Sequence, residues 1–208
     1  MGILQHCNLN SLTNYDKIRY TLKGSDIMAL SDKQSYTVDD YDSFPEDLRA
    51  EIIDGQIYYQ AAPSRSHQEI LMYLSQKIAN YIDSKGGPCK IYPAPFAVKL
   101  NEDDKTVVEP DISVICDRDK LDDRGCNGAP DWIIEINSPS NSSRDYVLKL
   151  NKYMAAGVRE YWIVDPKTKA ITVYFFESEI FAVRYTFQDS VKVNIYNDLT
   201  IDFSQLDI

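Results

Sequence analysis

Histidine and cysteine, two side chains that commonly bind transition metals, are scarce in this sequence. Two histidines and four cysteines occur among 208 residues. No two cysteines form the CxxC pair that is typical of a zinc cluster. The chain is also too long and too poor in cysteine for a secreted disulfide scaffold. We therefore predict that Cys7, Cys89, Cys116 and Cys126 are buried or inert thiols in a reducing cytoplasm.

Long apolar segments are also absent. No apolar run approaches the ~18 residues that span a bilayer, and residues 1–35 lack the roughly 7–15-residue apolar core of a secretory leader. We therefore expect no membrane partner and a cytoplasmic location. Residues 1–35 are polar and weakly patterned, which predicts a disordered N-terminal extension, and Met28 opens a stretch typical of a natural start. Residues 36–208 are expected to form a single domain.

The sequence lacks an excess of basic residues. With 22 Lys and Arg against 32 Asp and Glu, its formal net charge is −10, which argues against a dense basic surface that coats nucleic acids. The acidity is uneven: residues 101–123 hold nine acidic and three basic residues, a net of −6. Residues 64–92 and 141–160 each hold four basic and two acidic residues, a net of +2. A divalent cation would offset part of the acidic segment, so weak, salt-sensitive and metal-dependent binding to nucleic acid is compatible with the composition.

Hydrophobic periodicity and turn residues predict a mixed chain. Asp54-Gly55 between two apolar runs indicates a hairpin. Ser66 and Glu69 form a capping box before apolar residues at helical spacing, which indicates a helix that ends before Gly86. The other predicted elements are a helix over about 38–48, strands over 95–100, 106–116 and 131–137, a helix over about 142–156, a strand over 160–164, and β-rich runs over 170–176, 180–187 and 191–196. We therefore predict an α+β (α/β-like) fold with a mixed central β-sheet flanked by helices and a C-terminal β-meander.

Two of the predicted strands carry acidic residues on their less apolar face. Alternation places Glu109 and Asp111 on one side of the first strand, and Glu135 on the less apolar side of the second. Pro110, inside the first run, predicts a bulge or an edge position, and bulges commonly redirect a side chain toward a site. These carboxylates are the first candidates for a functional site.

A lysine on the following helix completes the pattern. Lys149 shares a helix face with Asp145 and Lys152, and it approaches Asp111 and Glu135 if that helix packs on the sheet. Two carboxylates with room for water suit Mg²⁺ or Mn²⁺. A nearby lysine can orient or deprotonate a water, or stabilise a pentacovalent phosphate. The alternative is that all these charges are solvated residues at a sheet edge and on a helix surface.

Four ordered segments carry a resemblance that is more specific than any one of them. They are residues 109–116 (EPDISVIC), 131–140 (DWIIEINSPS), 145–149 (DYVLK) and 157–166 (GVREYWIVDP). Together they resemble the putative restriction endonuclease family within the PD-(D/E)XK nuclease superfamily, over about residues 36–185. Many members of that family are labelled only as a domain of unknown function. The resemblance implies a restriction-endonuclease-like core and a metal-dependent nuclease.

The resemblance also assigns roles to single residues. Asp111 corresponds to the acid of the PD element and Glu135 to the second acid, and both would bind Mg²⁺ (or Mn²⁺) together with the backbone carbonyl of Ile136. The sequence departs from the superfamily pattern at the lysine position of E-x-K, which holds Asn137. The family resembled usually supplies its lysine from the next helix, where Lys149 matches.

Two further positions resemble the family. Glu51, in the segment EIIDG, matches its first acid, and His67, shortly after Ala62-Pro63, matches a histidine at the start of its long helix. With these residues the expected catalytic set is Asp111, Glu135, Lys149, Glu51 and His67.

The leading hypothesis is an Mg²⁺-dependent endodeoxyribonuclease that hydrolyses phosphodiester bonds of a DNA substrate. Small members of the superfamily often look dimeric, so a homodimer is a further expectation. The Tyr-rich strands from residue 170 would suit such an interface, and a covered sheet edge explains them equally well. The alternative is a catalytically degenerate nuclease fold that acts as a nucleic-acid or protein binding module, because the lysine position within the strand holds Asn137. A glycosidase with two carboxylates is a third hypothesis, which would require an open aromatic cleft.

Overall fold

The computed structural model describes residues 35–45, 48–100, 104–138, 143–179 and 182–208, with side chains from residue 146 onward in the helix that starts at residue 143. The extension predicted over residues 1–35 therefore lies outside the described residues, apart from Ser35. The described α-helices are α1 (Val38–Asp42), α2 (Arg65–Lys85) and α3 (Ser143–Ala156). None of these described helices has the length and apolar character needed to cross a membrane.

The strands form two six-stranded sheets and one separate hairpin. In chain order the described strands are β1 (Ala50–Ile53), β2 (Gln56–Tyr59), β3 (Lys90–Pro93), β4 (Val98–Lys99), β5 (Val107–Val108), β6 (Ile112–Ile115), β7 (Leu121–Asp122), β8 (Gly125–Asn127), β9 (Trp132–Ile136), β10 (Glu160–Asp165), β11 (Ala170–Phe175), β12 (Ala182–Thr186), β13 (Ser190–Lys192) and β14 (Thr200–Asp202). The first sheet has the order β2-β1-β5-β4-β8-β7, the second the order β12-β11-β10-β9-β6-β3, and β13 pairs with β14. Both large sheets contain parallel and antiparallel pairs, so the mixed α+β fold is confirmed.

The helices begin and end close to the predicted positions. The hydroxyl of Ser64 caps α2 by accepting a hydrogen bond from the backbone N–H of His67 at 3.2 Å, so the predicted cap at Ser66 is wrong by two residues. Helix α2 ends at Gly86, whose φ of +61° is easily adopted only by glycine. Helix α1 ends at Asp42 rather than near residue 48, because the residue before Pro45 is disfavoured in a helix.

The chain changes sheets at Pro110. The single strand predicted over 106–116 is two strands, β5 in the first sheet and β6 in the second. Proline has no N–H to donate to a neighbouring strand. The next residue, Asp111, already pairs on the side of β3, because its carbonyl accepts a hydrogen bond from Ala94 N, just after β3, at 2.9 Å. The predicted bulge is therefore a complete break, and it places Glu109 and Asp111 where the two sheets meet.

The C-terminal strands follow the predicted meander in part. Strands β10, β11 and β12 are sequential antiparallel neighbours, as expected. The run predicted over 191–196 does not continue this sheet, because β13 pairs with β14 in the separate hairpin. Strands β3, β7, β8 and β14 are short, and the sequence pattern did not predict them.

Two hydrophobic clusters lie on opposite faces of the second sheet. One cluster joins Ile70 and Leu74 of α2 to Ile134 of β9. The other joins Tyr153 of α3 to Ile133 of β9 and to residues of the first sheet. Because successive side chains of a strand alternate between faces, Glu135 lies on the same face as Ile133 and is covered by α3.

Cys89 and Cys116 form a disulfide between the residue before β3 and the residue after β6. The prediction of thiols is wrong for this pair, because β3 and β6 are antiparallel neighbours whose register sets the two cysteines opposite each other. Cys126 is free and buried, as predicted, and Cys7 lies outside the described residues. Disulfides are rare in cytosolic proteins, so the argument from thiols no longer favours a cytoplasmic location.

Glu160, at the start of β10, is fully buried and binds the segment between β13 and β14. Its Oε2 accepts the backbone N–H groups of Asn194 and Ile195 at 2.7 and 2.9 Å. Its Oε1 accepts Nε1 of Trp162 at 2.7 Å and Nδ2 of Asn194 at 3.0 Å. All four partners are donors, so a carboxylate satisfies them and an amide group cannot.

Replacing Glu160 with Gln sets an amide donor against these N–H groups. We expect the free energy of unfolding to fall by about 2 kcal/mol, the typical cost of an unsatisfied buried group. Urea unfolding measures this change, with the exposed Glu179→Gln as the matched control. Equal stability of the two variants would contradict the assigned role of Glu160.

Candidate active site

The structure places all six residues singled out from the sequence in one pocket of about 210 Å³. They come from β1, α2, the break between β5 and β6, β9, and α3. In chain order these pocket residues are Glu51, His67, Asp111, Glu135, Ile136 and Lys149.

Lys149 extends from α3 between two carboxylates of different sheets. Its Nζ lies 2.8 Å from Oε1 of Glu51 and 2.8 Å from Oε1 of Glu135. Both carboxylates are buried, and the side chain of Lys149 is 12% exposed. The approach to Glu135 agrees with the prediction, whereas the second partner is Glu51 rather than Asp111. The side chain of Asp145, predicted on the same helix face, lies outside the described residues.

Asp111 is held through both of its carboxylate oxygens. Oδ2 accepts the backbone N–H of Ile136 at 2.7 Å, and Oδ1 lies 3.1 Å from Nε2 of His67. His67 is buried in the first turn of α2, and its Nδ1 is a buried atom without a hydrogen-bond partner among the described residues. These contacts fix the direction of the Asp111 carboxylate before any ligand arrives.

Burial and neighbouring charges both shift the pKa values of Glu135 and Lys149. Burial raises the pKa of Glu135 to about 7, the carboxylates of Asp111 and Glu51 add to this, and the ammonium of Lys149 opposes it. Burial alone would lower the pKa of Lys149, but Glu135 and Glu51 outweigh it and raise that pKa well above its ordinary value. In the metal-free pocket these contacts favour the protonated, cationic form of Lys149.

Asn137, at the lysine position of the E-x-K pattern, is directed elsewhere. Its backbone N–H donates to the carbonyl of Val164 at 2.7 Å. Burial tends to raise the pKa of Asp165, but hydrogen bonds from Thr168, from the backbone of Lys167 and from the side chain of Asn137 outweigh burial and lower that pKa. Asn137 and Asp165 line an adjoining pocket, so the cation beside Glu135 comes from α3 instead of β9.

A second layer of contacts supports Glu51. The backbone N–H of Glu109 donates to Oε1 of Glu51 at 2.8 Å. The side chain of Glu109 accepts the hydroxyl of Tyr41 at 2.5 Å and lies 3.3 Å from a guanidinium nitrogen of Arg49. Arg49 and Tyr41 were not predicted as site residues, because no local pattern links them to an acid some 60 residues away.

Tyr153 is a further contact that sequence patterns did not indicate. Its hydroxyl donates to Oε1 of Glu135 at 2.7 Å. The available signal was its position four residues after Lys149, which places both side chains on one face of α3.

The pocket offers oxygen atoms that can serve as ligands of a metal ion. Among the described residues, no three His, Cys, Asp or Glu side chains are grouped to hold a metal. The predicted ligand set contains only two side chains, Asp111 and Glu135, and its third member is the backbone oxygen of Ile136. This set fits Mg²⁺, which commonly binds one or two carboxylates and keeps several of its waters.

Comparison with known proteins gives consistent results. The model of the Uma2 family, described as putative restriction endonuclease, matches residues 38–204. An uncharacterized protein of Synechocystis, slr1290, is 31% identical over 127 residues, which cover 60% of this chain and 64% of that protein, less than two thirds of its length. The crystal structure of a putative nuclease belonging to DUF820 from Anabaena variabilis superposes with a TM-score of 0.69 at 21% identity, covering 82% of this chain and 97% of that one.

The likeness to the solved structure concerns the fold, and it confirms the mixed α+β architecture. The family match covers most of the chain and extends past residue 185, where the resemblance carried by the four segments ends. It confirms the family predicted from those segments. The chain belongs to the Uma2 family of putative restriction endonucleases.

Proposed function

We propose that the chain is a metal-dependent endonuclease that hydrolyses phosphodiester bonds of DNA with Mg²⁺ or Mn²⁺. The observation that carries this proposal is the position of Lys149, held 2.8 Å from both Glu51 and Glu135 in the pocket that also contains Asp111. Buried charges are costly to maintain for stability alone. Strongly shifted pKa values in a cleft, such as those of Glu135 and Lys149, are typical of functional sites.

Each side chain of the pocket has a distinct role in this proposal. Asp111, Glu135 and the backbone oxygen of Ile136 would hold the metal ion. When bound, such an ion supplies an activated water and neutralises charge that develops on the phosphate. His67 and the N–H of Ile136 fix the carboxylate of Asp111, since ligands oriented by neighbours bind a metal more tightly. The two carboxylates raise the pKa of Lys149 in the metal-free pocket, so its proposed role is that of an ammonium group that stabilises negative charge on the phosphate.

The charge of the pocket supports a requirement for a divalent cation. The charged side chains lining it, apart from His67, are four carboxylates and two cations, a formal net of −2: Glu51, Glu109, Asp111, Glu135, Arg49 and Lys149. A phosphate group is repelled by this pocket until a divalent cation offsets its charge.

We therefore expect EDTA to weaken DNA binding at least about tenfold at ordinary salt, and binding with metal to fall further as salt rises. Electrophoretic mobility shift with a labelled duplex, in Ca²⁺ and in EDTA, measures the difference without cleavage. Tight binding in EDTA at ordinary salt would contradict a metal-dependent interaction.

Plasmid relaxation tests the proposed activity directly. The purified full chain is incubated with supercoiled plasmid in Mg²⁺, Mn²⁺ or EDTA, beside the variants Asp111→Ala and Glu135→Ala. We expect the unaltered chain to nick the plasmid in Mg²⁺ or Mn²⁺ and not in EDTA. Equal nicking by all three proteins would indicate a contaminating nuclease and refute the assignment.

The alternative of a degenerate, binding-only fold predicts a different result. Calorimetry at millimolar Mg²⁺ or Mn²⁺ would then detect no metal binding, and the plasmid would stay supercoiled. The main argument for this alternative is that Asn137 occupies the position at which the E-x-K pattern has its lysine. The position of Lys149 beside Glu135 weakens that argument.

A homodimer is part of the same proposal, because one site per chain cuts both strands of a duplex either as a dimer or in two events. Strand β12 is at the edge of the second sheet and exposes Val183. An edge strand of this kind is a suitable place for a second copy to pair. The cytoplasmic location stays a prediction.

A further inference from the structure

Tyr153 is fully buried one helical turn after Lys149 on α3. Its hydroxyl donates to Oε1 of Glu135 at 2.7 Å, and the ammonium of Lys149 donates to the same oxygen at 2.8 Å. Two donors from adjacent turns of one helix thus converge on a single carboxylate oxygen.

The ring of Tyr153 is held as firmly as its hydroxyl. It packs edge-to-face against Tyr161 of β10, with ring centroids 5.0 Å apart, in the cluster between α3 and the second sheet. A buried ring in a close-packed cluster has few alternative rotamers. The hydroxyl therefore occupies a defined point relative to β9, the strand that carries Glu135.

Lys149 alone does not define the orientation of Glu135 in the same way. Its ammonium group is shared with Oε1 of Glu51 at 2.8 Å, and a lysine side chain is a flexible stem that ends in a point charge. The phenol of Tyr153 is rigid, and Glu135 is the hydrogen-bond partner of its hydroxyl.

We propose that Tyr153 is a positioning residue for the metal site: its hydroxyl holds Oε1 of Glu135 so that the second oxygen, Oε2, is presented to the ion. This inference rests on the proposed function, in which Glu135 is a metal ligand. Residues that orient a metal ligand contribute roughly 10–100-fold to the affinity for the metal, although they do not touch the ion. Tyr153 would therefore determine how tightly the divalent cation is bound, with little direct effect on the reacting phosphate.

The chain offers a matched control in Tyr161. This tyrosine is also fully buried and lies in the same cluster, but its hydroxyl has no hydrogen-bond partner among the described residues. Tyr153→Phe and Tyr161→Phe each remove one buried hydroxyl and preserve the ring. Only the first removes a donor to Glu135.

The test compares Mn²⁺ affinity of the unaltered full chain and both variants by isothermal titration calorimetry, together with the Mn²⁺ concentration that gives half-maximal plasmid nicking. We expect Tyr153→Phe to raise both the Kd and the half-maximal concentration about tenfold, while nicking at saturating Mn²⁺ falls much less. Tyr161→Phe should stay within about twofold of the unaltered chain. The rise in Tm on adding Mn²⁺, taken from each variant's own melting temperature, separates weaker affinity from lower stability.

An unchanged Mn²⁺ affinity in Tyr153→Phe would overturn the positioning role and leave the proposed nuclease intact. An equal loss in both Phe variants would overturn it as well, since it would indicate a general effect of packing. Absence of Mn²⁺ binding and of nicking in the unaltered chain would refute the proposed function itself, and the positioning role with it.

Discussion

Replacing Asp111 with Asn is expected to lower the rate of plasmid nicking about a thousandfold. Asparagine has nearly the same shape, and its amide oxygen can still accept the N–H of Ile136, but it carries no charge for a metal ion. A metal site contributes several kcal/mol to transition-state stabilisation, and a loss of about 4 kcal/mol corresponds to a thousandfold in rate. Initial rates of nicking in saturating Mn²⁺ measure the effect.

A matched control for this variant is Asp198→Asn. Asp198 is an exposed carboxylate that pairs with Lys85 and Tyr81 and does not line the pocket. Its replacement should leave the rate within about twofold, because surface ion pairs contribute little. If Asp111→Asn retained more than a tenth of the rate, Asp111 would not be a metal ligand of the reaction.

Replacing Lys149 with Met is expected to reduce both stability and activity. Methionine fills much of the same space but leaves Glu51 and Glu135 buried beside each other without their shared cation. Removing one partner of a buried ion pair costs roughly 3–5 kcal/mol, and loss of a charge directed at the phosphate costs about a hundredfold or more in rate. Urea unfolding and plasmid nicking measure the two effects separately.

Lys152 provides the control on the same helix. It pairs with Asp54, which is largely exposed, so its ion pair is worth about 1 kcal/mol or less. Lys152→Met should therefore change stability and rate only slightly. Similar losses in the two variants would show that α3 tolerates neither substitution, and Lys149 would have no special place in the site.

Local sequence patterns predicted those parts of the fold that depend on neighbouring residues. Asp54-Gly55 forms the turn of the β1–β2 hairpin, with Asp54 at a φ of +52° and Gly55 at +76°. Gly86 and Gly157 end their helices at positive φ. These features were predictable because a turn or a helix end is set by a few adjacent residues.

The change of sheet at Pro110 was not predictable in the same way. The pattern of residues 106–116 fits one alternating strand, and nothing local shows that its two halves pair with different partners. The partners are β1 and β4 for the first half and β3 and β9 for the second. Only the paired strands determine where the chain leaves one sheet for the other.

In the candidate site, too, local patterns predicted some residues, and contacts between distant parts of the chain determine the others. Asp111, Glu135 and Lys149 were predicted as neighbours, and the structure brings them into one pocket. The contact between Lys149 and Glu51 joins residues 98 positions apart, and the role of Glu51 came only from the resemblance to a family. Tyr153 was not predicted as a site residue, because the carboxylate that it contacts lies on another element.

The structure shows where part of the chain's negative charge lies. The formal charge of −10 argued against a surface that coats nucleic acid. Part of that charge lies in the pocket, where four carboxylates outnumber two cations. A formal net of −2 at the site matches one divalent cation. Under the proposed function, the acidity therefore favours metal dependence and does not exclude DNA.

A crystal of the full chain soaked in Mn²⁺, with anomalous data collected at the manganese edge, tests the central claim most directly. The proposed function predicts an anomalous peak at coordination distance from carboxylate oxygens of Asp111 and Glu135 and from the backbone oxygen of Ile136. It also predicts that the peak disappears in Asp111→Asn. A pocket without manganese at saturating concentration, or manganese bound elsewhere only, would contradict a metal-dependent nuclease built on these residues.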